Sequence, residues 1–145
     1  MDKSEFTSQR SNLLLENFRK SIALQSKISA IKAFHEAVNA PAPRFWVGEA
    51  RASRIISMMK KGEDPTGGMN PEKREMYQEI FRRFKALSAL HPDWPVGDLV
   101  FTVINNPAPR SYMSWHRARH IINLARKKSK EMKNRSGIIS PNNLK

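Results

Sequence analysis

Apolar residues along the chain recur at spacings of three and four, the period of helices buried along one face. Leu14, Phe18 and Ile22 form one such stripe and Ile28, Ile31, Phe34, Ala37 and Val38 a second; Ala52, Ile55, Ile56 and Met59 form a third. The pattern then repeats as Tyr77, Ile80, Phe81, Phe84 and Leu87, as Val96, Leu99, Val100, Val103 and Ile104, and as Ala118, Ile121, Ile122 and Ala125. Strand-like alternation is missing, so the expected class is all-α.

Punctuation between the stripes is strong. Gly48 and Ser114 stand where two helices should begin, Ser114 being a good N-cap. Asn70-Pro71 caps and opens the longest helix of the middle region, which His91-Pro92-Asp93-Trp94-Pro95 stops. Lys61-Gly62-Glu63-Asp64-Pro65-Thr66-Gly67-Gly68 has the composition of a linker.

The chain also repeats itself. Residues 39–61 laid on 105–127, an ungapped offset of 66, agree at ten of 23 positions, among them Pro41/Pro107, Ala42/Ala108, Pro43/Pro109, Arg44/Arg110, Ala52/Ala118, Ile55/Ile121 and Ile56/Ile122. The repeated element is a helix, a PAPR loop and a second helix. Two prolines one residue apart remove two amide donors and push their predecessors out of helical geometry, so each loop should be a stiff extended segment. With one preceding helix apiece, the organisation expected from chain order is two tandem trihelical units. The first spans residues 1–62, with its loop at 41–44; a linker covers 63–70; the second spans 71–133, with its loop at 107–110; and 134–145 form a polar, basic tail. That tail loses periodicity near Lys133 and is expected to be mobile.

Charge adds direction to this scaffold. Twenty-six Lys and Arg against 13 Asp and Glu give a formal charge of +13. Such an excess repels itself, and a polyanion relieves the repulsion while releasing its own counterions; nucleic acid is the expected partner and an anionic membrane the next. Residues 110–135 hold nine basic residues and one acidic, a local +8, whereas residues 41–61 hold five and one, a local +4. Trihelical units whose last helix is basic resemble the helix-turn-helix class of DNA-binding domains, and the resemblance implies that this helix enters the major groove. At about 100° per residue, with Ala118 inward, Arg119, His120, Asn123, Lys127 and Lys130 point outward with Arg126 at the edge. Ser53, Arg54, Ser57, Lys60 and Lys61 take equivalent positions in the first copy. Guanidinium groups suit guanine or phosphate, and Asn suits adenine. The motif usually turns in three or four residues, whereas about eight separate Asn105 or Asn106 from Ser114 here.

Arg44 and Arg110, repeated behind the second proline, have open roles: phosphate contacts from a rigid mount, or a structural use, capping the carbonyl ends of the preceding helix or pairing with an acidic residue. Trp46, Tyr112 and Trp115 follow the loops and suit either stacking on bases, or contact with a partner, or anchoring of the loop in the core. His116 and His120 share a helical face, but no third ligand accompanies them and the chain has no Cys, so no metal site is expected. Walker loops, nucleophile elbows and acidic clusters are missing too, which points to a non-enzymatic protein without cofactors. No window approaches the ~20 apolar residues of a membrane span, and the charged start Met1-Asp2-Lys3-Ser4-Glu5 leads into no apolar stretch, so cytoplasmic residence, on the nucleoid if DNA is bound, is the expectation.

The strings PAPRFW and PAPRSY resemble a motif of small, basic, uncharacterised proteins of gut bacteria and their mobile elements. The resemblance covers about a third of the chain and implies a bacterial or phage setting but no activity. Three functions therefore stand side by side: duplex DNA binding, as a regulator or architectural accessory; a helical protein-interaction or homo-oligomeric assembly module; and an RNA-binding accessory factor.

Overall fold

In the computed structural model the backbone is described from residue 3 to residue 143 and the side chains from residue 6 to residue 134. The described residues form six α-helices: α1 (Lys3–Leu24), α2 (Ala30–Asn39), α3 (Glu49–Lys60), α4 (Pro71–Leu90), α5 (Val96–Ile104) and α6 (Trp115–Asn143). The protein is all-α. Its helix starts are set locally. The Ser29 hydroxyl accepts the Lys32 amide at 3.3 Å, Asn70 Oδ1 accepts Lys73 at 2.9 Å, and Ser114 Oγ accepts Arg117 at 3.2 Å. Each of these satisfies a backbone donor that a helix leaves open at its first turn. Gly62, at φ +89°, takes the left-handed conformation just past the end of α3, as an achiral residue can without strain.

One expectation needs correction. Ile28 and Ile31 are 71% and 57% exposed, because α2 begins only at Ala30 and turns Ala33, Phe34, Ala37 and Val38 inward instead. Helix α6 runs on to Asn143, and residues 144 and 145 lie outside the described residues.

The arrangement of the helices follows from the two PAPR loops. They run antiparallel through the middle of the molecule, where the Ala42 amide donates to the Ala108 carbonyl at 2.9 Å and the Ala108 amide donates to the Ala42 carbonyl at 2.8 Å. Pro41, Pro43, Pro107 and Pro109 have no amide to donate, so the pairing is confined to one bridge. Both alanines are buried, and their small side chains let the two backbones approach. On either side of the bridge the Phe45 amide donates to the Ile104 carbonyl and the Ser111 amide to the Val38 carbonyl, each at 2.9 Å. Donors 45 and 111 and acceptors 38 and 104 are again 66 residues apart, which gives the crossing a local two-fold character.

Extended and crossed in this way, each loop carries its third helix away from the two helices that precede it. Helix α3 packs on α4 and α5, and α6 packs on α1 and α2; among the described residues α2 makes no packing contact with α3. The molecule thus consists of two trihelical halves that have exchanged their last helices. Ala52, Ile55 and Ile56 of α3 join Ile80 and Phe84 of α4 and Leu99, Val100 and Val103 of α5 in one core. Ala118, Ile121 and Ile122 of α6 join Leu14 and Phe18 of α1 and Phe34 and Val38 of α2 in the other. Chain order therefore differs from packing order. A turn of three or four residues would have folded each third helix back on its own second helix, whereas residues 40–48 and 105–114 span the molecule.

Candidate nucleic-acid interface

Helix α6 presents the basic face. Ala118, Ile121 and Ile122 are buried against α1 and α2, which leaves Arg119, His120, Asn123, Arg126, Lys127 and Lys130 exposed. Arg126 lies at the edge of this face, its guanidinium 5.4 Å from the Phe18 ring centroid and 3.5 Å from Asn123 Oδ1. Arg119 lies 5.8 Å from the Trp115 ring. Both stems are thereby held against aromatic surface while their charge stays in water. Among the described residues no carboxylate pairs with Arg119, Arg126, Lys127 or Lys130, and the ion pairs present lie elsewhere, at Lys20–Glu16, Arg82–Glu79, Arg83–Glu79 and Arg110–Glu75.

The exchange of helices sorts charge between the halves. Among the residues with described side chains, 6–39 and 115–134, which supply the half containing α6, carry twelve Lys and Arg against three Asp and Glu, a net +9. Residues 40–114 carry eleven against eight, a net +3. Consecutive units would have spread the excess more evenly. In the weaker half Arg54, Lys60 and Lys61 are exposed and Ser57 is half-buried on α3. Helices α3 and α6 make no packing contact among the described residues, so the two basic faces belong to separate surfaces.

Four sequence candidates sit elsewhere than on an open contact surface. Arg44 is 5% exposed; its Nε donates to the Phe45 carbonyl at 2.9 Å and an Nη to the Val47 carbonyl at 2.8 Å, with Phe6 stacked 5.3 Å away. It ties the end of its loop to the start of α3. Arg110 is half-buried and reaches Glu75 Oε1 at 3.3 Å while lying 5.4 Å from the Tyr112 ring. Trp46 and Tyr112 are buried and anchor the loops. The indole Nε1 of Trp46 donates to Ser111 Oγ at 3.1 Å, and Tyr112 stacks on Phe45 at 5.9 Å from an unusual φ of +51°. Burial pushes the Tyr112 hydroxyl above the usual tyrosine range, with the carboxylates of Glu79 and Glu75 adding to the effect. Trp115 is half-buried, with Phe34, His35 and His116 around it at 6.4, 5.3 and 3.9 Å. His116 and His120 are exposed, and among the described residues no group of three or more His, Asp or Glu could hold a metal ion.

The fold also adds residues that periodicity passed over. A groove of about 1160 Å³ runs between α1 and α6, lined by Arg10, Arg19, Lys20, Arg117, His120 and Lys128. Its one acidic residue, Glu16, is engaged by the Lys20 Nζ at 3.1 Å. Arg117 and Lys128 lie on the flank of α6, about 80–100° from Ala118, between its buried and outward faces. Their partners on α1 become neighbours only because α6 crosses to that half.

Comparison with known protein families, with curated proteins and with solved structures finds no match to this chain. Among the described residues no helix is long and apolar enough to cross a membrane.

Proposed function

We propose that the chain is a non-enzymatic nucleic-acid-binding protein that engages duplex DNA through the outer face of α6. The observation that carries this reading is the gathering of a net +9, among the described side chains, on the half that contains α6, with Arg119, Arg126, Lys127 and Lys130 exposed and without acidic partners among the described residues. Unneutralised cations concentrated on one helix are what counterion release from a polyanion requires. A basic third helix laid across two others also has the arrangement in which helix-turn-helix proteins present a reading helix; here the third helix comes from the other copy of the repeat. Arg119, Asn123 and Arg126 supply base-edge chemistry, and Lys127 and Lys130 suit phosphates. The α3 face, with Arg54, Lys60 and Lys61, makes a weaker, separate contact.

The test is fluorescence anisotropy with duplex DNA, single strands and structured RNA across a salt series. Affinity for duplex should fall steeply with salt. The pair Lys127→Gln and Lys130→Gln should flatten the log–log slope by about 2, roughly one per lost phosphate contact. Reversal of Arg119 and Arg126 to Glu with no loss of affinity refutes α6 as the reader, and preference for structured RNA moves the assignment to an RNA-binding accessory.

A second reading has one observation behind it. Leu24 and Leu90, and likewise Ile28 and Trp94, are exposed apolar residues 66 positions apart. Paired apolar spots at equivalent places suit an assembly role. Salt-resistant oligomers of nuclease-treated protein on size exclusion, without retention on DNA cellulose, would favour it.

A further inference from the structure

A second groove, of about 1100 Å³, lies where the two halves meet and outside the α6 outer face. Its charged lining is lopsided: Arg10 from α1, Arg51 from α3, Lys73 from α4 and Arg117 from α6 face a single carboxylate, Glu49. Within this set Arg10 is poorly satisfied. Its Nε is buried without a hydrogen-bond partner, and its guanidinium faces the Phe6 ring 5.8 Å away. A buried N–H on a charged group with no acceptor is costly to keep. Burial, followed by the positive charge of Arg117, pushes the Arg10 pKa below the usual arginine range, so like charges are held together here. Among the described residues no carboxylate pairs with either one. Among the described residues the side chain of Arg51 makes one hydrogen bond, from its Nε to the Tyr77 hydroxyl at 3.3 Å. The first turns of α3 and α6 also border the groove, and their open amide ends favour negative charge.

We propose that this groove binds a phosphate-type oxyanion, with Arg10 and Arg117 as its principal ligands. One bound oxyanion sits against the Arg10 and Arg117 guanidiniums, neutralises the repulsion between them and leaves Arg51 and Lys73 to hold its outer oxygens. The same chemistry is offered by a free phosphate or pyrophosphate and by a phosphodiester of a nucleic-acid backbone. Arg10 and Arg117 line the α1–α6 groove as well, so a polymer bound there would run on into this site. The site itself does not depend on α6 reading a duplex.

The test is calorimetric titration of the full chain in low-chloride buffer, with inorganic pyrophosphate in one arm and duplex DNA in the other. Wild type is compared with Arg10→Met, with Arg117→Gln and with the α6 outer-face reversal at Arg119 and Arg126. Arg117 is exposed, so Arg117→Gln keeps the test valid if Arg10→Met lowers the helical signal. Saturable pyrophosphate binding, weakened at least ten-fold by Arg117→Gln and unaffected by the outer-face reversal, supports the site with a free anion as its ligand. Absence of pyrophosphate binding together with a ten-fold loss of duplex affinity in Arg117→Gln supports it with the polymer backbone as the source. Neither ligand responding to Arg117→Gln overturns the proposal. Loss of duplex binding in the outer-face variant alone bears on the proposed function and leaves this site untouched.

Discussion

Separating the chain after Gly62 should leave neither piece folded as a monomer. The fragment 1–62 contains α1, α2 and α3, which in tandem units would form a complete trihelical bundle. In the exchanged fold α3 packs on neither α1 nor α2 within that fragment, because Ile55 and Ile56, 5% and 0% exposed, bury themselves against α4 and α5. At about 1.5–3 kcal/mol for each isoleucine, their exposure removes roughly 3–6 kcal/mol. The α1–α2 pair meanwhile loses Ala118, Ile121 and Ile122 of α6, and an isolated helix as short as α3 is marginal in water. Set against about 5–15 kcal/mol for a whole domain, these losses leave no stable monomer. Two copies of 1–62 have one remedy, an exchange of α3 between them, because α3 carries the same Ala-Ile-Ile set as α6. Circular dichroism and sedimentation over a concentration series distinguish the outcomes. Fragment 1–62 should be unfolded when dilute and gain helix only as a dimer, and adding the fragment 63–145 should restore a one-to-one complex with full helical signal. A helical, concentration-independent monomer of 1–62 would refute the exchange.

Further measurements follow from single side chains. Arg44→Met removes the charge-assisted bonds to the Phe45 and Val47 carbonyls and leaves the Phe45 carbonyl with only the Val47 amide as donor, so stability by chemical denaturation should fall by about 2–3 kcal/mol while the salt slope of DNA binding stays unchanged. A changed slope would return Arg44 to the interface. Glu79 is held to about 2, first by its hydrogen bond from Arg82 and then by that from Arg83, against the ordinary 4.5 of an unfolded chain. Its folded-state pKa is depressed, so its contribution is complete above the unfolded value and disappears as the pH falls from about 5 toward 2. Because Arg82 is exposed, the pair is screened, and Glu79→Gln should cost about 1 kcal/mol at neutral pH and shrink the pH dependence between those limits. An acid limb identical to wild type would show that Glu79 is ionised without consequence. The effect extends beyond the pair, since Arg83 also donates to the Pro107 carbonyl at 2.7 Å and lies 5.0 Å from the Phe45 ring, so Glu79 steadies the crossing loops.

Much of the candidate interface was legible from the outward positions of α6. A helical wheel needs only the period of the helix and one inward residue, and Ala118 supplied that. Arg44 and Trp46 were not legible in the same way. Their roles depend on how near the loop comes to Phe6 and Ser111, contacts that span up to 65 residues of chain. The Arg10–Arg117 pair lies further out of reach, since the two residues meet across 107 positions and only after α6 has crossed to α1.

The sequence by itself determined the helices, their caps, their buried stripes and the stiffness of the two PAPR loops, because each depends on residues within a turn or two. It could not choose the partner of each third helix. Ala52, Ile55 and Ile56 match Ala118, Ile121 and Ile122 residue for residue, so either stripe offers nearly the same apolar surface to either pair of helices. Tertiary structure decided the matter through long-range terms. Loops too extended to reverse, pinned to each other by the reciprocal Ala42–Ala108 bridge, send each stripe to the opposite half. That choice also places most of the positive charge on one side of the molecule.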